Sequence, residues 1–212
     1  MKVPPKYDIS GNQEGRYEPG SGGKVLKNQL GICNKLEMEK KETKLQLDAF
    51  SKFANIFGKK HRFSSEDLCL MHQEWLGKIY SWAGKYRTVN LAKGDFQFAA
   101  AKQIPKLMEL FEKEILSEYT PCLFSSKEEI AQALAVVHVE FILIHPFREG
   151  NGRLARMLSQ YMALQAGLPT LDFGVIKGKK REEYFKAVRA GLDKNYHPMA
   201  KIFFEIIEKK EG

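Results

Sequence analysis

Apolar residues recur at helical spacing from about Lys35 to Phe57, where Leu36, Leu45, Leu47, Phe50, Phe53, Ala54 and Phe57 alternate with charge. The spacing predicts a helix there. A second helix is predicted in "SSEDLCLMHQEWLGKIY", with Ser64 and Asp67 in capping-box positions ahead of Leu68, Met71, Trp75 and Ile79. In "YRTVNLAKGDFQFA" the period shortens: Tyr86, Thr88 and Val89 favour strand, "KGD" favours a turn, and Phe96 and Phe98 alternate. That pattern predicts a small hairpin. "IPKLMELFEKEIL" and "SSKEEIAQALAVVHVEFILIH" return to helix, the second opened by Ser126 with Glu129 at the reciprocal capping position. From Ala131 to Ile144 it is apolar nearly all round, which marks an element buried at the centre of its domain. "RLARMLSQYMALQAG", stopped by Gly167 and Pro169, is followed by "REEYFKAVRAGL" and "PMAKIFFEIIEK" as closing helices. No internal repeat is present, and the class is mainly α with one short hairpin.

A chain of 212 residues with 43% hydrophobic and 28% charged positions can bury one ordinary core. The expected organisation is an irregular arm over residues 1–23, rich in Pro, Gly and Ser, and a single domain over 24–212. Within the arm, "GSGGKV" is a failed phosphate loop: Glu18 stands where a Walker pattern needs glycine, and Val25 where it needs Ser or Thr. The net charge of +8 is spread over patches that mix acids with bases, such as "KKETK" and "KGKKREE". Solvated helix faces and loops explain those patches better than a nucleic-acid surface, although attraction to nucleotides stays open. Cys33, Cys69 and Cys122 lie far apart without metal spacing, so a reducing compartment is expected. No apolar window is long enough to span a membrane, and "MKVPPKYDIS" lacks the apolar core of a signal peptide. A cytoplasmic protein acting inside the producing cell is the expectation.

The chemistry concentrates in "HPFREGNGRLAR", His145 to Arg156, directly after the most apolar helix. Pro146 cannot continue that helix, so the chain turns at His145 and leaves the imidazole at the end of a buried element with its tip at the surface. Phe147 can fold back as an apolar anchor, and a held histidine is a usable base. Gly150 and Gly152 allow close approach of backbone to a ligand and unusual dihedrals, with the Asn151 amide between them. The next helix begins at once, so its free N–H groups make an anion hole. Arg153 and Arg156, three positions apart, share a face that suits a polyphosphate. Glu149 would repel phosphate unless a divalent cation lay between them, which argues for Mg²⁺. A solvated glycine turn with stray charges is the bland alternative, and the fixed order of all these groups weighs against it.

At every specified position the stretch resembles the Fic family motif H-x-F-x-[D/E]-G-N-G-R-x-x-R: His145, Phe147, Glu149, Gly150, Asn151, Gly152, Arg153 and Arg156. "IYSWAGKYRTVNL" at 79–91 is similar to the segment leading into the family's flap hairpin, and "YEPGSGGKVLKNQLGI" at 17–32 to the entry segment of short bacterial Fic toxins. The resemblance implies a Fic fold, a helical bundle with a β-hairpin flap beside the active site. It also implies transfer of AMP from ATP to a Tyr, Thr or Ser hydroxyl of a target protein. His145 would then take the proton of the attacking hydroxyl, and Glu149 would hold Mg²⁺ across the α- and β-phosphates. Gly150, Asn151 and Gly152 would cradle the phosphates, Arg153 would balance charge on the leaving pyrophosphate, and Arg156 would reach the γ-phosphate. The alternatives are transfer of another phosphate-containing moiety, as in the Doc group, whose motif differs, and a nucleotide-binding module without catalysis.

The resemblance further implies a flap, "NLAKGDFQFA", whose edge backbone pairs with an extended target segment. Lys93 is a candidate for the nucleotide phosphates and Tyr184 for the adenine wall. His138 reads as a packed core histidine, while His61, His72 and His197 have no sequence partners that suggest chemistry. Fic enzymes are restrained by a helix carrying (S/T)-x-x-x-E-(G/N), whose glutamate pairs with the second motif arginine. "SGNQEG" has Ser10, Glu14 and Gly15 at that spacing, but its glycine-rich surroundings oppose a docked helix. "IEKKEG" has Ile207 where Ser or Thr is required. The expected partners are therefore a target protein, with topoisomerase subunits suggested by the toxin likeness, and a small antitoxin that supplies the glutamate to Arg156.

Overall fold

The computed structural model describes residues 13–209, which fall into two compact units. Ser10 and the end of "IEKKEG" lie outside the described residues. The first unit gathers the described residues up to Asn55 with Ser65–Met108 and Ile144–Gly150. The second gathers Ile56–Ser64, Glu109–Leu143 and the described residues from Asn151 onward.

In the first unit, a 3₁₀ turn at Gln13–Gly15 leads to the entry segment, where Tyr17 bridges Leu26 and the Glu18 carboxylate accepts from Lys27 and from the Asn28 amide. Helix α1 (Lys35–Ala54) starts at Asn34, whose side chain accepts from the Glu37 amide, a standard N-cap. Its buried residues Met38, Glu42, Ala49 and Phe53 form one stripe. Helix α2 (Ser65–Leu76) meets that stripe through Trp75, whose indole N–H donates to the Glu42 carbonyl at 2.9 Å. The Tyr80 hydroxyl donates to the Glu42 carboxylate at 2.8 Å, so both the carbonyl and the buried acid of Glu42 have a donor.

The hairpin consists of β1 (Ala92–Lys93) and β2 (Phe96–Gln97), antiparallel with Ala92 opposite Gln97 and Lys93 opposite Phe96. It is shorter than the sequence predicts, because Tyr86–Val89 are not strand. Their polar backbone is used elsewhere: the Arg87 amide donates to Pro146, and the Thr88 amide to the Glu14 carboxylate. Strand propensity at Thr88 and Val89 loses to these tertiary bonds.

Helix α3 (Ile104–Leu110) is followed in sequence by a π-helical segment, Phe111–Leu116, and α4 (Ser117–Tyr119). Helix α5 (Lys127–Ile144) opens with the predicted capping box: the Ser126 amide donates to the Glu129 carboxylate at 3.1 Å, and the Glu129 amide to Ser126 Oγ at 3.2 Å. Residues Ala133 to Val139 of α5 are buried without interruption, as their all-round apolar character requires. Helices α6 (Asn151–Gln165), α7 (Lys179–Ala190) and α8 (His197–Glu208) complete the unit. Met199, Phe203, Ile206 and Ile207 give α8 its single apolar stripe. The three cysteines are free, and no helix among the described residues is long and apolar enough to cross a membrane.

Candidate active site

The motif divides between the units at the Gly150–Asn151 peptide. Its loop half begins where α5 ends. His145 precedes Pro146, whose ring bars the helical region, and the histidine takes φ 53, the left-handed conformation that non-glycine residues resist. Such a conformation persists only where neighbours hold it. Here Arg87 Nε–H donates to the His145 carbonyl at 2.7 Å, and the Arg87 amide to the Pro146 carbonyl at 2.9 Å. The imidazole stacks on the Phe98 ring with centroids 3.7 Å apart, and His145 is 7% exposed. It is thus covered rather than presented at the surface as the sequence suggests, because a phenyl ring just after β2 lies over it.

Phe147 is fully buried and serves as the expected anchor. It stacks on His72 with centroids 4.0 Å apart and planes within 7°. The Gly84 amide donates to His72 Nδ1 at 2.8 Å, so the proton of the neutral ring sits on Nε2, which donates to the Glu149 carbonyl at 3.1 Å. His72, without a role in the sequence reading, therefore grips the motif loop by its ring face and its N–H. Arg148, 1% exposed, donates from Nε to the Glu14 carbonyl at 2.7 Å. Glu149 Oε1 accepts from the Gly150 amide at 3.1 Å, which keeps the carboxylate beside the loop backbone. Gly150 has φ 85, and a Cβ there would lie 2.9 Å from Trp75 Cζ3. Only glycine fits that position.

The helix half opens α6. Asn151 is buried and is the first helical residue. Gly152 does not share the conformation of Gly150: its φ is not positive, and a Cβ would meet only Arg156 Nη1 at 3.7 Å. The expectation of unusual dihedrals holds for Gly150 and fails for Gly152, because the latter is already inside the first helical turn. Arg153 and Arg156 are half-buried on α6. Burial lowers the Arg156 pKa, the Tyr184 phenol opposes that shift, and the neighbouring Arg153 charge adds to it. The two cations are thus near enough to repel, a cost that a bound polyanion relieves.

Behind Arg156 runs a neutral relay. Ser159 Oγ donates to the Ala155 carbonyl at 2.9 Å, so it accepts from His138 Nδ1 at 3.2 Å. His138 Nε2 is then bare and accepts the Tyr184 hydroxyl proton at 2.8 Å. Burial, with the Arg156 charge second, pushes the His138 pKa down to about 3, so the ring stays neutral. The Tyr184 pKa rises to about 12 through burial, with Arg156 acting against it. Tyr184 spends its proton on His138 and leaves its oxygen lone pairs as the dipole felt by Arg156. His138 is the packed core histidine expected of the apolar helix, with a polar duty as well.

Lys93 lies on β1 opposite Phe96, and Gly94 turns the hairpin with φ 62. Both oxygens of the Glu14 carboxylate accept from Thr88, at 3.2 Å from its amide and 3.1 Å from its hydroxyl. Arg87, His72 and Phe98 are the supporting residues that sequence reasoning missed. Arg87 stands in a run that reads as strand and as the lead into the flap, and nothing local separates a buried arginine from a solvated one.

The family described as Fic/DOC matches residues 62–163. The chain is 24% identical over 188 residues to "Protein adenylyltransferase Fic" of Nematostella vectensis, covering 87% of this chain and 42% of that protein. It is 29% identical over 164 residues to "Protein adenylyltransferase VbhT" of Bartonella schoenbuchensis, covering 76% and 33%. This chain thus spans less than half the length of these curated relatives. Among solved structures it resembles the BepC protein of Bartonella tribocorum with bound AMPPNP, with a TM-score of 0.71, 25% identity, and coverage of 93% of this chain and 98% of that one. The mainly helical architecture with one small hairpin among the described residues is the fold shared with that structure. Residues 62–163, which include the motif from His145 to Arg156, match the Fic/DOC family.

Proposed function

We propose that the protein is an adenylyltransferase that moves AMP from ATP to a hydroxyl of a target protein. The observation that carries this reading is a complete motif, His145 to Arg156, whose histidine is held in a strained conformation by buried donors. Strain retained at a base is a signature of preorganisation. The adenylyltransferase names of the relatives and the AMPPNP in the BepC structure point the same way.

In the proposed reaction, His145 accepts the proton of the target hydroxyl as its oxygen bonds to the α-phosphorus. The bond from that phosphorus to the α–β bridging oxygen breaks, and pyrophosphate leaves with the electron pair. The positive end of the α6 dipole, with Arg153 and Arg156, carries the phosphate charge. Glu149 fits Mg²⁺, since one carboxylate plus substrate phosphates is a donor set this ion accepts while keeping water. Bound there, the ion would neutralise charge on the α- and β-phosphates. Lys93 and Tyr184 are candidates for phosphate and adenine contacts.

Control is assigned to a separate small protein that presents a glutamate to Arg156, as in a toxin–antitoxin pair. This reading is supported by Glu14, whose two carboxylate oxygens are already engaged by Thr88. The activity is tested by incubating the protein with bacterial lysate and ATP labelled at the α- or the γ-phosphate. Label from the α-position alone, with pyrophosphate released, is expected. Label from the γ-position would assign phosphate transfer, and nucleotide binding without incorporation would assign a non-catalytic module.

A further inference from the structure

Arg87 is 2% exposed, yet its guanidinium faces backbone carbonyls from three separate stretches of chain. Nη1–H donates to Val89 at 2.6 Å, and Nη2–H donates to Ala99 at 2.6 Å and to Ile144 at 3.3 Å. Nε–H donates to His145 at 2.7 Å. Val89 precedes β1 and Ala99 follows β2, so one rigid plane closes the base of the hairpin. The opposite edge of the same plane holds the carbonyl of the residue with φ 53. The Arg87 amide, bonded to Pro146 at 2.9 Å, adds a further tie to that loop. Phe98, inside the clamped hairpin, lies on the His145 ring.

A guanidinium presents its donors in a fixed fork, so the hairpin base cannot shift without bending bonds to the His145 backbone. We infer that Arg87 is a positioning residue that sets the hairpin and His145 in register, so that a hydroxyl delivered along the hairpin edge arrives within proton-transfer reach of the imidazole. Its part in the reaction rests on the adenylyltransferase reading, whereas the mechanical coupling stands without it. Lysine keeps the charge but concentrates its donors on one atom, which cannot span four carbonyls.

Arg87→Lys is the informative variant, read by amide exchange, AMPPNP affinity and AMP incorporation into lysate protein. The Phe98 amide, bonded to Leu91 at 3.1 Å, should exchange roughly tenfold faster in the variant, as expected for loss of about one hydrogen bond's worth of protection. AMP incorporation should fall about a hundredfold, the scale of a small misplacement of reacting groups, while AMPPNP affinity stays within about threefold. Unchanged Phe98 exchange in a folded variant would overturn the coupling. Loss of AMPPNP affinity in proportion to transfer would overturn the positioning role in favour of general destabilisation. Should the wild type transfer no AMP at all, the adenylyltransferase reading fails, and the exchange arm alone decides the coupling. Should the variant not fold, the wild-type protein decides: the Arg87 and Phe98 amides should open as one unit, with protection within about tenfold of each other, and independent opening would overturn the proposal.

Discussion

The two halves of the motif are held by different means. In the loop half, His145, Pro146 and Glu149 each have a carbonyl taken by a donor from another stretch of chain, and two aromatic stacks cover His145 and Phe147. In the helix half, the backbone is ordinary α-helix, and Arg156 is placed by burial against a neutral Tyr184–His138–Ser159 relay. On the proposed reading His145 is a base whose position is fixed before substrate arrives, which its pinned backbone suits. On the proposed reading Arg156 keeps its charge available for a polyphosphate, with the Tyr184 phenol dipole beside it.

The contrast breaks most visibly at the two glycines. Gly150→Ala forces a Cβ to 2.9 Å from the buried Trp75 and into a left-handed conformation, and should cost about 2–5 kcal/mol from strain plus overpacking. Gly152→Ala meets nothing closer than 3.7 Å at an ordinary helical φ and should leave the fold at least as stable, because alanine favours helix. Thermal unfolding of the two variants checks this, and equal losses would erase the distinction between loop and helix.

A smaller effect is expected from the relay. Folding lowers the His138 pKa from its ordinary 6.5 to about 3, so above pH 6.5 the group costs nothing. As pH falls below that, the unfolded chain takes up a proton the folded one refuses, and stability drops by about 1.4 kcal/mol per pH unit until pH nears 3. His138→Gln should flatten the pH dependence of stability by about that slope between pH 6 and 4, measured by denaturant titration. An identical slope in the variant would mean that His138 is protonated in the folded state.

The least effect is expected from Glu14→Gly. It removes two hydrogen bonds to the exposed side of Thr88 and keeps the Glu14 carbonyl that Arg148 uses. AMP transfer should stay within about twofold of wild type, since the main-chain tie survives. A large gain in transfer would show that Glu14 restrains the enzyme and would replace the separate antitoxin with self-inhibition.

What could be read in the sequence was what repeats or what sits at fixed spacing. The capping box at Ser126 and Glu129, the all-round apolar run of α5, the stop at Pro146 and the eight motif positions are local, and local rules found them. Tyr86–Val89 misled because their partners, Glu14 and Pro146, are remote in sequence, and propensity carries no information about such bonds. The same holds for Arg87, His72 and Phe98, whose meaning lies in the distant carbonyl or ring that each one meets. The order of the chemical groups was legible, and the scaffolding that fixes them was not.

The central claim is that the loop half supplies the base while the helix half grips the nucleotide, and His145→Ala tests it most directly when both quantities are measured on the same sample. Transfer of AMP from α-labelled ATP should fall by about 10²–10⁴-fold, the usual contribution of a general base, while AMPPNP affinity by calorimetry stays within about twofold. Retained transfer, or a loss of affinity as large as the loss of transfer, would contradict the account.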